Sequence, residues 1–322
     1  MKKGKRVFSL DVIRITAIVF VVFIHSYENY YSFNSTSGYL IGRIGVPLFL
    51  ALSGATMVDR EYSEKYIHSH MKRILYLYLV SVLWLFLYRI NTENVFDNII
   101  HSLGLVCSAK HLWYLNLLIV IYLSFPFLSY LRGLETKTVE IIFGIVILLA
   151  FLQDLNFVNI NNGFLYAYVY LIWGFLCYAR NIFEKVSAKK LFLVFLSLFI
   201  ISIVALNLDG VRLYYQSIGR DILWYSSPMV MFPSLAVFPL LLKINNDNDK
   251  EVKLATVMSK CTFGVYIVHL FVIGLISPYI QHINEMNGKL GTLILCVFTL
   301  FTSFALSYIL GKIPLLKKTI LQ

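Results

Sequence analysis

FSLDVIRITAIVFVVFIHSY, residues 8–27, is an apolar run long enough to cross a bilayer as a helix, at about 1.5 Å per residue against a hydrocarbon core of about 30 Å. It nevertheless contains Asp11, Arg14 and His25. Ionisable side chains are expensive at membrane depth and are retained there chiefly for function. Arg14 and His25 have ten residues between them, which on a helix is three turns, roughly 16 Å of rise and an angular offset of about 20°. The two groups therefore share a face and sit near opposite membrane surfaces. A cation near one mouth of a lumen and an imidazole near the other suit an elongated anionic molecule. Asp11, three residues before Arg14, is placed to be its salt-bridge partner. The plainer alternative has Arg14 snorkelling to the headgroups and His25 as an ordinary interfacial residue.

Working outward, the chain of 322 residues is 59% hydrophobic and 14% charged, which excludes a water-soluble globular domain and implies a polytopic membrane protein. The net charge of +11 is expected to reflect Lys and Arg in cytoplasmic loops, with no nucleic-acid partner. Cys107, Cys177, Cys261 and Cys296 are widely separated and suggest neither a disulfide framework nor a zinc site. The MKKGKR start resembles the head of a signal peptide, but the following run is charged and lacks a small-residue cleavage site, so it reads as a retained anchor.

Hydropathy gives an all-α helical bundle of about ten transmembrane spans, near 8–27, 38–58, 71–89, 111–130, 138–154, 163–179, 190–208, 222–242, 260–281 and 289–311. With the N-terminus inside, the outer connections hold only Arg89, Lys110, Arg212, Arg220 and Lys289 of the 28 Lys and Arg, and every inner connection is basic. Both termini are thus expected to be cytoplasmic, with Arg14 near the inner face and His25 near the outer face of the cell membrane.

The second span, GYLIGRIGVPLFLALSGATMV, contains Arg43, Ser53, several glycines and Pro47, which can break a helix. Its glycines admit either tight helix packing or a substrate-lining role. Residues 90–110 could form an interfacial amphipathic helix. The HLWYL segment begins the fourth span, with Trp113 as an interfacial anchor and His111 either lining the lumen or exposed. The ninth span places Ser259 and Tyr266 on one face and His269 beside them; an intramembrane His is first a structural hydrogen-bonding partner and second a lumen group. The run NNDNDKEVK at 245–253 reads as a solvated loop. Nucleotide-binding glycine loops, HExxH and GxSxG are all missing from the sequence.

Four segments in order, LDVIRITAIVFVVFIH, GVPLFLALSGATM, HLWYL and FGVYIVH, resemble the acyltransferase-3 family of integral membrane proteins. The departure is SGAT, where that family commonly has an aromatic after SG. The resemblance implies a single transmembrane domain over 1–322, with no appended soluble domain, that transfers acyl groups from cytoplasmic acyl-CoA, most often acetyl-CoA, to hydroxyls of a surface glycan or glycolipid. On that reading His25 is the general base, Arg14, Lys72 and Arg73 bind the acyl-CoA phosphates, and Arg43, Ser53, His111, Tyr266 and His269 are candidates for oxyanion stabilisation or acceptor positioning. No metal is expected. Membrane lipids surround the bundle, and an envelope-assembly partner protein could complete acceptor transfer. A transporter or exporter using the same polar lumen, and a non-catalytic membrane subunit, are the alternative readings. A covalent acyl-enzyme and direct transfer are both compatible with the residues.

Overall fold

The structure, a computed structural model, describes residues 7–28, 36–61, 63–89, 113–158 and 164–313; at 36, 37, 73, 77, 80–89 and 284–286 it describes backbone alone. The expected amphipathic segment at 90–110 and His111 lie outside the described residues. Among the described residues the chain is helical throughout, with no strand. The helices are α1 (Phe8–Glu28), α2 (Thr36–Arg43), α3 (Gly45–Met57), α4 (Glu64–Arg89), α5 (Trp113–Leu123), α6 (Phe125–Tyr130, followed by a 3-10 turn at Leu131–Gly133), α7 (Thr136–Asp154), α8 (Leu165–Tyr178), α9 (Ala188–Leu206), α10 (Asp209–Ser217), α11 (Pro228–Leu242), α12 (Asp249–Met286) and α13 (Gly288–Leu310).

Each of the ten sequence-based spans falls on one or two of these helices. By length and apolarity six stretches among the described residues can cross a membrane, or seven if α5 and α6, bent by 52°, form one span. The apolar helices α8 and α11 are shorter, at 14 and 15 residues. The protein is thus an all-α polytopic helical bundle. One local expectation is corrected: residues 249–253 form the first turn of α12 and are not a loop. Asn248 caps that helix by accepting from the Lys250 N–H at 3.0 Å, and Asp249 and Glu251 lie at the positive end of the helix dipole.

The first helix is central. It packs against α2, α3, α11, α12 and α13, and Ile13, Ala17, Ile18 and Val22 are wholly buried. By contrast α7, α9 and α13 present long apolar faces outward. Ile141, Ile145 and Leu148 of α7 recur at helical spacing and are more than half exposed, as are Leu293, Val297 and Phe301 of α13, a pattern that a hydrocarbon solvent selects.

The second span is interrupted at one residue, Ile44, between α2 and α3, and otherwise runs as a single stretch over Gly38–Met57. Pro47 explains the position, because it has no N–H for the Arg43 carbonyl and its ring crowds that carbonyl. Below the break, α3 crosses α8 at very close range. A Cβ on Gly54 would fall onto the Leu171 carbonyl, and one on Gly174 onto the Ala51 carbonyl. Gly42 and Gly45 likewise admit the α1 residues Ile24 and Ala17. Of the two readings of these glycines, helix packing is the one their contacts support.

The crossing gives a contrast in sign. Gly174→Ala should lower stability by ~1–3 kcal/mol through overpacking, whereas Gly144→Ala on α7, with open space around it, should be neutral or gain up to ~1 kcal/mol from helix propensity. Thermal unfolding of the purified variants measures both; equal shifts would contradict the clasp.

Candidate active site

A cavity of about 350 Å³ opens among α1, α3, α4, α5 and α12. Arg14 lines it from α1, Ser53 and Thr56 from α3, Tyr66 and His70 from α4, Tyr114 and Tyr122 from α5, and Thr262 and Tyr266 from α12. Arg60, from the turn after α3, completes the basic mouth. Arg14 Nη1 lies 3.4 Å from Asp11 Oδ1, and the other Asp11 oxygen accepts from the Thr256 hydroxyl at 3.2 Å. A buried carboxylate thereby ties α1 to α12 and orients the guanidinium. Arg60 donates from Nε to the Thr56 carbonyl at 2.8 Å and lies over the Tyr66 ring at 5.1 Å. His70 donates from Nδ1 to the Tyr66 carbonyl at 2.8 Å, because a carbonyl can only accept, and its ring packs between Tyr66 and Tyr122.

Three turns along α1 from Arg14, His25 stands beside Glu28, its Nδ1 being 3.0 Å from Glu28 Oε2. A carboxylate accepts, so Nδ1 is the donor, and in the neutral tautomer of that ring Nε2 is the acceptor nitrogen. The ring lies 5.2 Å from that of His269, which is wholly buried and donates from Nδ1 to the Tyr266 carbonyl at 2.7 Å. Tyr266 joins the two regions: its ring is 6.0 Å from His269 and it also lines the cavity. The cavity reaches Val21, one turn short of His25 on the same face.

Ser53 donates to its own i−4 carbonyl, Phe49, at 2.9 Å, and lines the cavity together with Tyr114. Arg43 is not there. It lies ten residues earlier, about 15 Å along the broken span, with Nη1 3.4 Å from the Tyr225 hydroxyl and Nη2 3.7 Å from Asp221. Arg43 and Ser53 therefore cannot address one oxyanion. Around Arg43 the residues 215–227 are tied at both ends to Asp154, which accepts from Tyr215 at 2.6 Å and Ser226 at 2.7 Å. Burial, and after it the neighbouring Asp154, pushes the Tyr215 phenol above its ordinary value, so it remains a donor across the physiological range.

Of the sequence-derived cation cluster of Arg14, Lys72 and Arg73, Arg14 lines this cavity and Lys72 does not. Lys72 is exposed and lines a separate cavity of about 610 Å³ with His68, Leu75 and Tyr78; the Arg73 side chain lies outside the described residues. The reason is helical phase, since Lys72 is two residues and about 200° round α4 from His70, which does face Arg14. Sequence reasoning missed Arg60, His70 and Glu28. Only Glu28 carried a local signal, its spacing of three from His25.

The family model described as an acyltransferase domain, Acyl_transf_3, matches residues 7–312. No curated protein and no solved structure matches the chain. With nearly its whole length spanned by that model, over a bundle of apolar helices enclosing these polar groups, the chain belongs to the acyltransferase-3 family and is a membrane acyltransferase.

Proposed function

We propose that the protein transfers an acetyl group from cytoplasmic acetyl-CoA to a hydroxyl of a surface polysaccharide, lipid-linked glycan or other glycoconjugate, with His25 as the general base. The observation that carries this reading is the arrangement along α1: a guanidinium in a basic cavity mouth at one end, and a carboxylate-supported imidazole three turns away. Arg14 and Arg60 hold the CoA phosphates, His70 adds polar contact, and the pantetheine arm runs along the cavity past Tyr114 and Tyr266 toward His25. The basic character of the inner connections supports an Arg14 end that faces the cytoplasm, where CoA is.

The chemistry balances without a further reactant. His25 Nε2 takes the proton of the acceptor hydroxyl as its oxygen attacks the thioester carbonyl. Collapse of the tetrahedral species breaks the C–S bond, and the imidazolium returns the proton to the leaving sulfur. Glu28 fixes the tautomer and stabilises the imidazolium, as a carboxylate does in a Ser-His-Asp triad.

Two predictions follow from the roles assigned. In protein reconstituted in nanodiscs, Arg14→Gln and Arg60→Ala should each weaken acetyl-CoA binding about tenfold by calorimetry, with Lys72→Ala within about twofold. Unchanged binding in both arginine variants would refute the donor site, and absence of binding to folded wild type would favour the transporter. Separately, His25→Ala should lower transfer of radiolabel from acetyl-CoA to membrane glycan by ~10²–10⁴-fold with acetyl-CoA binding retained, and Glu28→Gln by a smaller factor. Full transfer by His25→Ala would rule out the imidazole as base.

A further inference from the structure

The helices α4 and α5 form a wall with a cavity on each side. Tyr66 and His70 of α4, with Leu118, Ile121 and Tyr122 of α5, face the cavity that holds Arg14. Turned the other way, His68, Lys72, Leu75 and Tyr78 of α4 and Asn116 and Ile119 of α5 line the second cavity, of about 610 Å³. Helical phase makes the division. His68, Lys72, Leu75 and Leu79 fall within about 60° of one another and roughly opposite His70. All four are exposed, Leu75 by 59% and Leu79 by 56%.

Exposed leucines alone suit any lipid-facing helix, as on α7 and α13. This stripe differs in being concave, with α5 closing one side, and in carrying its charge at one end. The lining includes the Lys72 ammonium and the His68 imidazole and, among the described residues, no carboxylate. Side chains on an α-helix lean toward its N-terminus, so both groups reach toward Glu64, where α4 begins. Glu64 itself is two turns from Lys72, and Glu61, just before the helix, is engaged by Arg132 at 3.1 Å.

Beyond the two basic groups the walls turn apolar. From His68 to Tyr78 is ten residues of helix, about 15 Å. That is half of a hydrocarbon core of about 30 Å, the depth of one leaflet. A groove one leaflet deep, basic at the surface and apolar below, is matched by a molecule with an anion at the surface and a hydrocarbon chain running inward. Acetyl-CoA matches it less well, because the amides of its pantetheine arm would lie against aliphatic walls, where polar groups without partners are costly.

We infer that the groove between α4 and α5 binds an anionic glycerophospholipid of the adjoining leaflet, its phosphate against Lys72 and His68 and one acyl chain along Leu75, Tyr78 and Ile119. The phosphate contact is charge-assisted, and a basic side chain near the membrane surface favours an anionic lipid over a zwitterionic one. The lipid is a resident of the bundle and takes no part in acyl transfer. Among the described residues α4 packs chiefly on α5, so a chain in the groove covers the side of α4 that protein leaves open. The inference goes beyond the acyltransferase reading and does not depend on it.

Photolabelling in phosphatidylcholine nanodiscs tests it, with two probes that carry the same diazirine-bearing acyl chain, one on phosphatidylglycerol and one on phosphatidylcholine. Labelled peptides are mapped by mass spectrometry, and each yield is normalised to the label on the outward faces of α7 and α13. The phosphatidylglycerol probe should label residues 71–78 and 116–119 at least about fivefold more than the phosphatidylcholine probe. Lys72→Gln, at an exposed position, should bring that ratio to within about twofold while thermal unfolding stays as in wild type. Equal labelling of these segments by the two probes in wild type, or an undiminished ratio in folded Lys72→Gln, overturns the site. Neither readout involves acetyl-CoA, so failure of the donor reading shows separately, in the calorimetry of the arginine variants.

Discussion

The structure depends on the need to find partners for charges carried through hydrocarbon by α1. An Asp or Arg at the centre of a membrane helix costs ~2.5–3.5 kcal/mol even on the mildest scale, so a helix bearing Asp11, Arg14 and His25 is unfavourable at the lipid boundary. It is instead enclosed by α2, α3, α11, α12 and α13. Asp11 binds Arg14 and Thr256, and His25 meets Glu28 and His269. The same contacts that make the helix tolerable in a membrane orient the Arg14 guanidinium and the His25 imidazole.

That arrangement also divides the protein into two ends with different chemistry. The Arg14 end is a cationic, ring-lined cavity suited to phosphate and a flexible arm. The His25 end is a more nearly charge-balanced region of imidazoles, carboxylates and aromatic rings. Ten residues apart on the second span, Ser53 lines the cavity and Arg43 lies toward the opposite end, where the segment pinned by Asp154 supplies Asp221 and Tyr225.

How much of this the sequence revealed follows from the range of the interactions involved. Arg14 and His25 were legible because both lie on one helix, whose pitch alone fixes their relation. The break in the second span was legible for the same reason, from Pro47. Lys72 shows the limit. Its proximity to the basic end was evident, but the side of α4 facing Arg14 is decided by packing against α5, which selects His70. Arg60 reaches the cavity from a turn, and Asp221 reaches Arg43 from a distant part of the chain, and neither contact leaves a periodic trace. The loop expected at 245–253 yielded to a local signal that was present, the Asn248 cap and its acidic first turn.

The most direct test of the two-ended α1 is an experimental structure of the protein in nanodiscs with a non-transferable thioether analogue of acetyl-CoA. The expected density has the phosphates against Arg14 and Arg60, the arm in the cavity beside Tyr114 and Tyr266, and the acyl terminus directed toward Nε2 of His25, leaving space for one hydroxyl within about 3 Å of that nitrogen. An analogue seated instead in the cavity lined by Lys72, or with its acyl end directed away from His25, would contradict the claim that one helix carries both the donor contact and the base.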